Sequence, residues 1–362
     1  MYFPKSLTFN NNLVIIKCLI YLRTKGTETA KMMPQSHIIG TGSAVPERIL
    51  TNKDLESFVD TSDEWITRRT GIKERRISSK EKTESTTDLA TKASLKAMEM
   101  AGISAKNLDM IIVGTVTSDR QFPSTACMVQ QALKAENATA FDVSAGCTGF
   151  LYALTIANNA IRCGTCENAL IVGAERLSSV VNWRDRNTCV LLADGAGAVV
   201  VTSKKDRGGI LSSRLKSDGT FWELLYSSSG NSYIPGILQG IDLKPLHLIM
   251  DGNRLFKKAI EYMSSITQRA MQDASLSSEE IQLVVPHQAN IRIIKGLAKS
   301  LKVPMERVYT NIHKYGNTSS ATIPIALDEA NREGRMKKNE NVLLVSFGAG
   351  ITWGASILNW SF

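Results

Sequence analysis

The chain has 362 residues, 43% of them hydrophobic, and six cysteines, which is long enough for one large core or two fused ones. Its net charge is +9, of which +4 comes from Lys5, Lys17, Arg23, Lys25 and Lys31 set against Glu28 alone, leaving about +5 for the body. These figures exclude several classes: no run approaches the roughly 20 apolar residues of a membrane span, no basic stripe interleaved with aromatics marks a nucleic-acid surface, and cysteines this sparse form no disulfide framework but suit a reducing compartment such as the cytoplasm.

Residues 1–35 differ from the rest, with Asn10 to Asn12, a short apolar run from Leu13 to Leu22 broken by Lys17, and scattered basic residues. They are expected to lie outside the fold. Three readings stay open: an upstream start with the true one at Met32 or Met33, a targeting peptide, or an appendage. Farther along, Ala101 to Val113 reads as a helix end, a loop and a buried strand, and the pattern recurs from Ala274 to Pro286 at an offset of 173. Phe141 to Val143 predicts a strand, followed by a turn at Cys147 and a helix from Leu151 to Ile161. A similar turn surrounds Asn317 before a helix from Ile323 to Ala330, at an offset of 170. Ala169 to Gly173 recurs as Val342 to Ser346 at 173. Together these predict two similar α/β halves, 36–206 and 207–362, joined near Lys204 to Gly209. Cys147 and Asn317 are expected in equivalent turns that face one cleft.

Several residues along this frame carry chemistry. Cys147 lies between a strand and an apolar-periodic helix, so a helix N-terminus is expected to favour its thiolate and lower its pKa; a buried structural cysteine is the competing reading. Cys163 and Cys166 form a C-x-x-C pair with no second pair or nearby His to complete a zinc site. Of the four histidines, His287 stands out, because it follows the buried run Ile281 to Val285 and opens onto a helix, where α/β folds collect functional groups. Asn317 precedes a Thr-Ser run, which a helix cap explains equally well. Gly348 to Gly354 and the glycines after Asp194 are not nucleotide loops, since the following segments read as strands. They let backbone approach a ligand or a packed neighbour, and in the first case supply N–H groups placed for an oxyanion hole.

The ordered set Ala145-Gly-Cys-Thr-Gly, Pro286-His-Gln-Ala-Asn, Gly316-Asn-Thr-Ser and Gly350-Ile-Thr-Trp-Gly resembles the β-ketoacyl-acyl carrier protein synthase III family. The likeness runs from about His37 to Phe362 and takes in Asp60-Thr-Ser-Asp-Glu-Trp-Ile-Thr-Arg-Arg-Thr-Gly-Ile and Met250-Asp-Gly-Asn-Arg-Leu-Phe-Lys. It implies a five-layered α/β/α/β/α thiolase-like fold, a homodimer, and a condensing enzyme of fatty acid synthesis with acyl-CoA and malonyl-acyl carrier protein as substrates. No metal or redox cofactor is implied. The resemblance assigns a Cys147, His287 and Asn317 triad, with backbone N–H groups of Cys147 and Gly350 as the oxyanion hole. Trp65 and Arg186 would sandwich the CoA adenine, a chemically sensible stack. Arg69 would meet the phosphates, and Asn253 and Asn290 would line the pantetheine tunnel. Lys257 and Arg292 would draw the acidic carrier protein. Phe347 would shape the malonyl site, and Phe122 would reach the partner's acyl pocket. Where many members carry Phe-Gly, this chain has Leu192-Ala193, so its acyl pocket is expected to differ. Two other enzyme readings remain: a relative that primes polyketide or specialised-metabolite synthesis, and a cysteine acyl hydrolase, which would use Cys and His without a malonyl-binding Asn.

Overall fold

The computed structural model describes residues 33–79, 84–227 and 247–362. The N-terminal segment predicted to lie outside the fold falls, up to residue 32, outside the described residues; the first strand begins at Gln35.

Among the described residues, nine strands build the two main sheets. In chain order they are β1 Gln35–Ala44, β2 Met110–Gly114, β3 Thr139–Val143, β4 Asn168–Arg176, β5 Asp194–Lys204, β6 Gly209–Ser217, β7 Leu283–Pro286, β8 Asn341–Gly348 and β9 Thr352–Asn359. The main helices are α1 Asp63–Thr70, α2 Thr86–Ala101, α3 Thr125–Leu133, α4 Gly149–Arg162, α5 Gly252–Ala274, α6 Ile291–Leu301 and α7 Thr322–Arg332. The first sheet runs β1-β5-β4-β2-β3 and the second β7-β8-β9-β6. Both are mixed: the β4–β2–β3 and β7–β8 pairs are parallel, while β1, β5, β9 and β6 join by antiparallel ladders.

The strands read as long apolar runs because both faces of each sheet are covered. Helices α2 and α3 pack outside the first sheet through Leu89, Ala93, Ala97 and Val129. Between the sheets, Phe150, Leu154 and Ile161 of α4 and Ile323 and Leu327 of α7 meet Ile112 and Ile171 on one side and Val285 and Leu344 on the other. Outside the second sheet, Leu255, Met263 and Ile266 of α5 and Ile294 and Leu297 of α6 close a further core. Five layers result, α/β/α/β/α. A smaller cluster, with Leu50, Ile66, Ile72, Cys189, Val190 and Leu192, anchors α1.

The two sheets repeat each other in register. Met110 pairs with Ala169 across β2 and β4, and Leu283 pairs with Val342 across β7 and β8, both partners displaced by 173 positions (110 to 283, 169 to 342). Among the described residues one strand lacks a counterpart: in place of β3 the second sheet has a single bridge from Val284 to Val308. The same displacement carries the short turn Gly146–Thr148 onto Ser319–Ala321, and the start of α4 at Gly149 onto the start of α7 at Thr322. The structural counterpart of Cys147 is therefore Ser320, not Asn317. The 170-residue offset aligned side chains of similar interest; the backbone turns align at 173.

Candidate active site

The two turns that precede α4 and α7 lie against each other at the centre of the molecule. Gly146 and Ser319 occupy equivalent places in them, and both are left-handed, with φ of 53° and 50°. A glycine takes that conformation freely, whereas a serine there carries about 1–3 kcal/mol of backbone strain, a cost typical of functional sites. The β8–β9 loop presses on the first turn. A Cβ built on Gly348 would sit 2.6 Å from the Cys147 nitrogen, and one on Gly146 would sit 2.8 Å from that of Ala349. Two further bonds tie the loop down: Ser346 Oγ donates to the Cys147 carbonyl at 2.8 Å, and Thr352 Oγ1 donates to that of Ala145 at 2.9 Å.

Ser319 joins the three candidate groups. It lines the same cavity as Cys147. Its N–H donates to Asn317 Oδ1 at 2.8 Å, which leaves the carboxamide NH2 as the group Asn317 can offer to a substrate. Its carbonyl accepts the Thr322 hydroxyl at 2.9 Å, and that same hydroxyl lies 2.6 Å from His287 Nδ1. His287 continues β7, held by its N–H to the Val345 carbonyl at 2.8 Å. Asn317 is fixed by a parallel bridge to Leu192, through Asn317 N–H to Leu191 O at 2.9 Å and Ala193 N–H to Asn317 O at 3.0 Å. Carboxamide and imidazole are thus tied to one serine, which lines a cavity together with the thiol.

The ionisation of the pair departs from the sequence expectation. Burial pushes the Cys147 thiol up to about 11. Burial also pushes His287 down to about 3. The helix-terminus effect expected to favour thiolate is opposed by desolvation of the charged form at Cys147, which sits two residues before α4. At rest the site holds a neutral thiol and a neutral imidazole, so attack by sulfur requires a local proton acceptor.

A cavity of about 770 Å³ opens above the turns, and its wall includes Cys147, Leu192, Asn317, Ser319 and Ala349. His287, Gly350 and Phe347 are not part of that wall. Phe347 instead packs in the core beneath α5, with its ring centroid 6.3 Å from that of Tyr262. The stretch Val116 to Gln121 also lines the cavity, and Phe122, next in the chain, is 82% exposed.

The residues assigned to CoA fall into two groups. Trp65 on α1 has the Arg69 and Arg186 guanidinium carbons 4.9 and 5.1 Å from its ring centroid. A base inserted between Trp65 and Arg186 needs van der Waals contact of about 3.5 Å on each face, so Arg186 must swing away from the ring, leaving its bond to the Asp60 carbonyl at 2.8 Å. Asn290 caps α6, accepting the Arg292 N–H at 2.8 Å, and Asn253 is exposed in the first turn of α5. Lys257 and Arg292 are exposed on the neighbouring helices α5 and α6, the latter with its guanidinium 5.3 Å from the Phe256 ring.

The other polar candidates serve the fold. His37 Nε2 meets Asp206 Oδ1 at 2.7 Å and its Nδ1 meets Ser361 Oγ at 2.8 Å. Cys163 is exposed after α4 and Cys166 is buried, and among the described residues no cluster of three or more His, Cys, Asp or Glu could hold a metal. No described helix is long and apolar enough to cross a membrane. Sequence reasoning overlooked Ser319, Thr322 and Glu175. The first two stand in the run after Asn317 that reads as a helix cap. Glu175 ends an apolar strand, where an acidic residue in a buried position is itself a signal.

The family described as 3-oxoacyl-[acyl-carrier-protein (ACP)] synthase III matches residues 141–219, and its C-terminal region matches 271–360. A beta-ketoacyl-[acyl-carrier-protein] synthase III of Caldanaerobacter subterraneus subsp. tengcongensis is 52% identical over 325 residues, 90% of this chain and 97% of that one. The crystal structure of 3-oxoacyl-[acyl-carrier-protein] synthase III from Aquifex aeolicus superposes with a TM-score of 0.84 at 48% identity, covering 90% of this chain and all of that one. A priming beta-ketosynthase from the R1128 polyketide pathway superposes at 0.85 with 33% identity, covering 92% and 99%.

Proposed function

The chain belongs to the 3-oxoacyl-[acyl-carrier-protein] synthase III family, and from that premise we propose how its own residues carry out the reaction. As a member of that family it is an acyltransferase of fatty acid synthesis that performs the initiating condensation. In our reading Cys147 attacks the thioester of an acyl-CoA, expels CoA and keeps the acyl group as a thioester. Malonyl-acyl carrier protein then enters with its thioester oxygen between the His287 imidazole and the Asn317 carboxamide. Carbon dioxide leaves, the two donors stabilise the enolate, and the enolate carbon attacks the acyl-enzyme to give a β-ketoacyl thioester. The backbone N–H groups of Cys147 and Gly350 receive the oxyanion of each acyl transfer, a contact worth about 3 kcal/mol per donor.

A neutral imidazole suits this assignment. An imidazolium would donate a stronger bond, but it would tend to protonate the enolate before carbon–carbon bond formation. Burial that pushes His287 down to about 3 keeps it a neutral donor at working pH. Trp65, Arg69 and Arg186 bind the nucleotide end of CoA, with Asn253 and Asn290 beside the pantetheine and Leu192 shaping the acyl site. Lys257 and Arg292 guide the acidic carrier protein. Phe122 projects toward a second copy in a homodimer. The compartment is the cytoplasm.

The tie of Asn317 and His287 to Ser319, which lines one cavity with Cys147, carries this reading. Intact-protein mass spectrometry after incubation with acetyl-, isobutyryl- and longer acyl-CoAs tests it. We expect the mass of one acyl group on Cys147 and a β-ketoacyl product once malonyl-carrier protein is added. Steady release of free acid, with no dependence on malonyl-carrier protein, would make the enzyme a hydrolase instead. The polyketide-priming relative of the same fold keeps a second product open, and the Leu192 and Ala193 departure bears on the starter; the same acyl-CoA panel reads that choice.

A further inference from the structure

A buried cation lies behind the bridge that holds Asn317, and the scheme above gives it no part. Arg75, in the short strand Glu74–Arg76, is fully buried. Its hydrogen bonds go to neutral acceptors: Nη1 donates to the Leu50 carbonyl at 3.1 Å, and Nη2 donates to Asn52 Oδ1 at 2.9 Å and to the Val190 carbonyl at 2.8 Å. Burial pushes the guanidinium down to about 10, so it stays charged at neutral pH. Val190 opens the stretch 190–193, which makes the parallel bridge to Asn317 and puts Leu191 and Leu192 into the cavity wall. Arg75 also backs onto Gly316: a Cβ built there would sit 3.2 Å from Arg75 Cβ and 3.0 Å from the Leu191 carbonyl oxygen. Two residues earlier, the Lys73 N–H donates at 3.2 Å to the carbonyl of His313, in the helical turn Ile312–Tyr315 that leads into Asn317. Asn52 in turn roots the guanidinium in α1. Its Nδ2 donates to the Ile72 carbonyl at 2.7 Å and to Oδ1 of Asp63, the first residue of that helix, at 2.8 Å.

Resting on the role given above to the Asn317 carboxamide, we propose that Arg75 is a positioning residue for decarboxylation, holding the stretch 190–193, and with it Asn317, where the malonyl thioester oxygen is received. Taking a guanidinium out of water is costly, and a fold that needed only to fill this space would use an apolar residue. What the guanidinium supplies is geometry. Its planar, rigid fork joins acceptors from separate segments, here residues 50, 52 and 190, a task that the single point charge of a lysine does not perform. Asn317 depends on that stretch, because its backbone N–H goes to the Leu191 carbonyl and its own carbonyl takes the Ala193 N–H. A shift of 190–193 therefore carries the carboxamide NH2 with it, and a displacement of about 1 Å costs an oriented reaction on the order of 10²-fold. Cys147 is held differently, by Ser346 and by the close approach of Gly348. The two half-reactions should accordingly respond differently to Arg75. The arginine is not part of the cavity wall and acts through Asn317, not on substrate.

The test separates the half-reactions. Arg75→Lys keeps the charge and removes the fork. We expect it to release carbon dioxide from malonyl-carrier protein about tenfold more slowly, as a fall in kcat with little change in KM. Quenched intact-mass measurement should show Cys147 loading its acyl group within about twofold of the wild-type rate. Combined with Asn317→Ala, Arg75→Lys should cost nothing beyond Asn317→Ala alone, since a residue that acts through the carboxamide then has nothing left to position. Asn52→Ser loosens the guanidinium from its other side and should show the same split between half-reactions, smaller in size; it decides the question if Arg75→Lys fails to fold in a thermal melt. Equal slowing of loading and decarboxylation would overturn the proposal, because it marks an arginine that only supports the fold. Additive loss in the double variant, or wild-type decarboxylation in both single variants, would overturn it as well. If Asn317→Ala itself decarboxylates at the wild-type rate, the role of the carboxamide falls first, and that outcome is read without any change at Arg75.

Discussion

His287 Nδ1 lies 2.6 Å from the Thr322 hydroxyl, and that hydroxyl also lies 2.9 Å from the Ser319 carbonyl. Thr322 has one proton for two acceptors. Given to Nδ1, it leaves the imidazole proton on Nε2, where His287 can donate to a thioester oxygen; given to the carbonyl, it requires the proton on Nδ1 and makes Nε2 an acceptor. The first residue of α7 therefore couples the imidazole tautomer to the turn, and the decarboxylation step needs the arrangement in which the Thr322 proton points to Nδ1.

Replacing Thr322 by Val should slow malonyl-carrier protein decarboxylation about tenfold, the worth of one neutral hydrogen bond, while Cys147 still takes up its acyl group. Thr322→Ser should return most of the rate. Carbon dioxide release measured beside acyl loading checks this, and a Val variant with wild-type decarboxylation would remove Thr322 from the mechanism.

Cys147→Ala should abolish labelling by radioactive acyl-CoA. His287→Ala and Asn317→Ala should still acylate but decarboxylate malonyl-carrier protein about 10²-fold more slowly, as expected for loss of an oxyanion donor. Normal condensation by Asn317→Ala would refute the role given to its carboxamide.

Gly348→Ala should disable the nucleophile although no catalytic side chain changes. The added methyl meets the Cys147 nitrogen at 2.6 Å and its Cα and Cβ at 3.1 Å, so the turn must shift. Overpacking of this kind costs about 1–3 kcal/mol of stability. Thermal melting and acyl loading together measure both effects, and a variant that melts and loads like the wild type would contradict the tight approach.

Trp65→Ala should raise KM for acyl-CoA about tenfold, with little change in kcat. Lys257→Glu or Arg292→Glu should instead raise KM for the carrier protein and weaken its dependence on ionic strength. Steady-state kinetics at two salt concentrations separate the two surfaces.

Acid and alkali should destabilise the fold through different groups. Burial pushes Glu175 from 4.5 to about 7, so the stability linked to it is fully present below the unfolded value and is lost as pH rises through about 7. Burial pushes His287 from 6.5 to about 3, so the stability linked to it is present above about 6.5 and is lost as pH falls toward 3. Glu175→Gln should therefore lose less Tm than the wild type between about pH 5 and 8. Differential scanning calorimetry at matched ionic strength reads the comparison.

Much of the frame was legible in the residues. Buried strands announced themselves as apolar runs at 110–114, 169–173, 283–286 and 342–346, and the helices after Cys147 and Asn317 by their 3.6-residue period. The repeat was visible because each half buries the same faces of the same elements. The offset of the two central turns was misjudged, since a turn is specified by backbone angles, and Gly146 and Ser319 share theirs without sharing a side chain.

By itself the sequence determined the family and the layered architecture, because motif order and hydrophobic periodicity are properties of the chain read along its length. Only the tertiary structure brought Ser319, Thr322 and Glu175 to the centre of the molecule and buried His287 and Glu175. Those outcomes depend on desolvation and on hydrogen bonds between segments more than a hundred residues apart, such as Glu175 and Ser320, and no local pattern encodes what distant strands bring together.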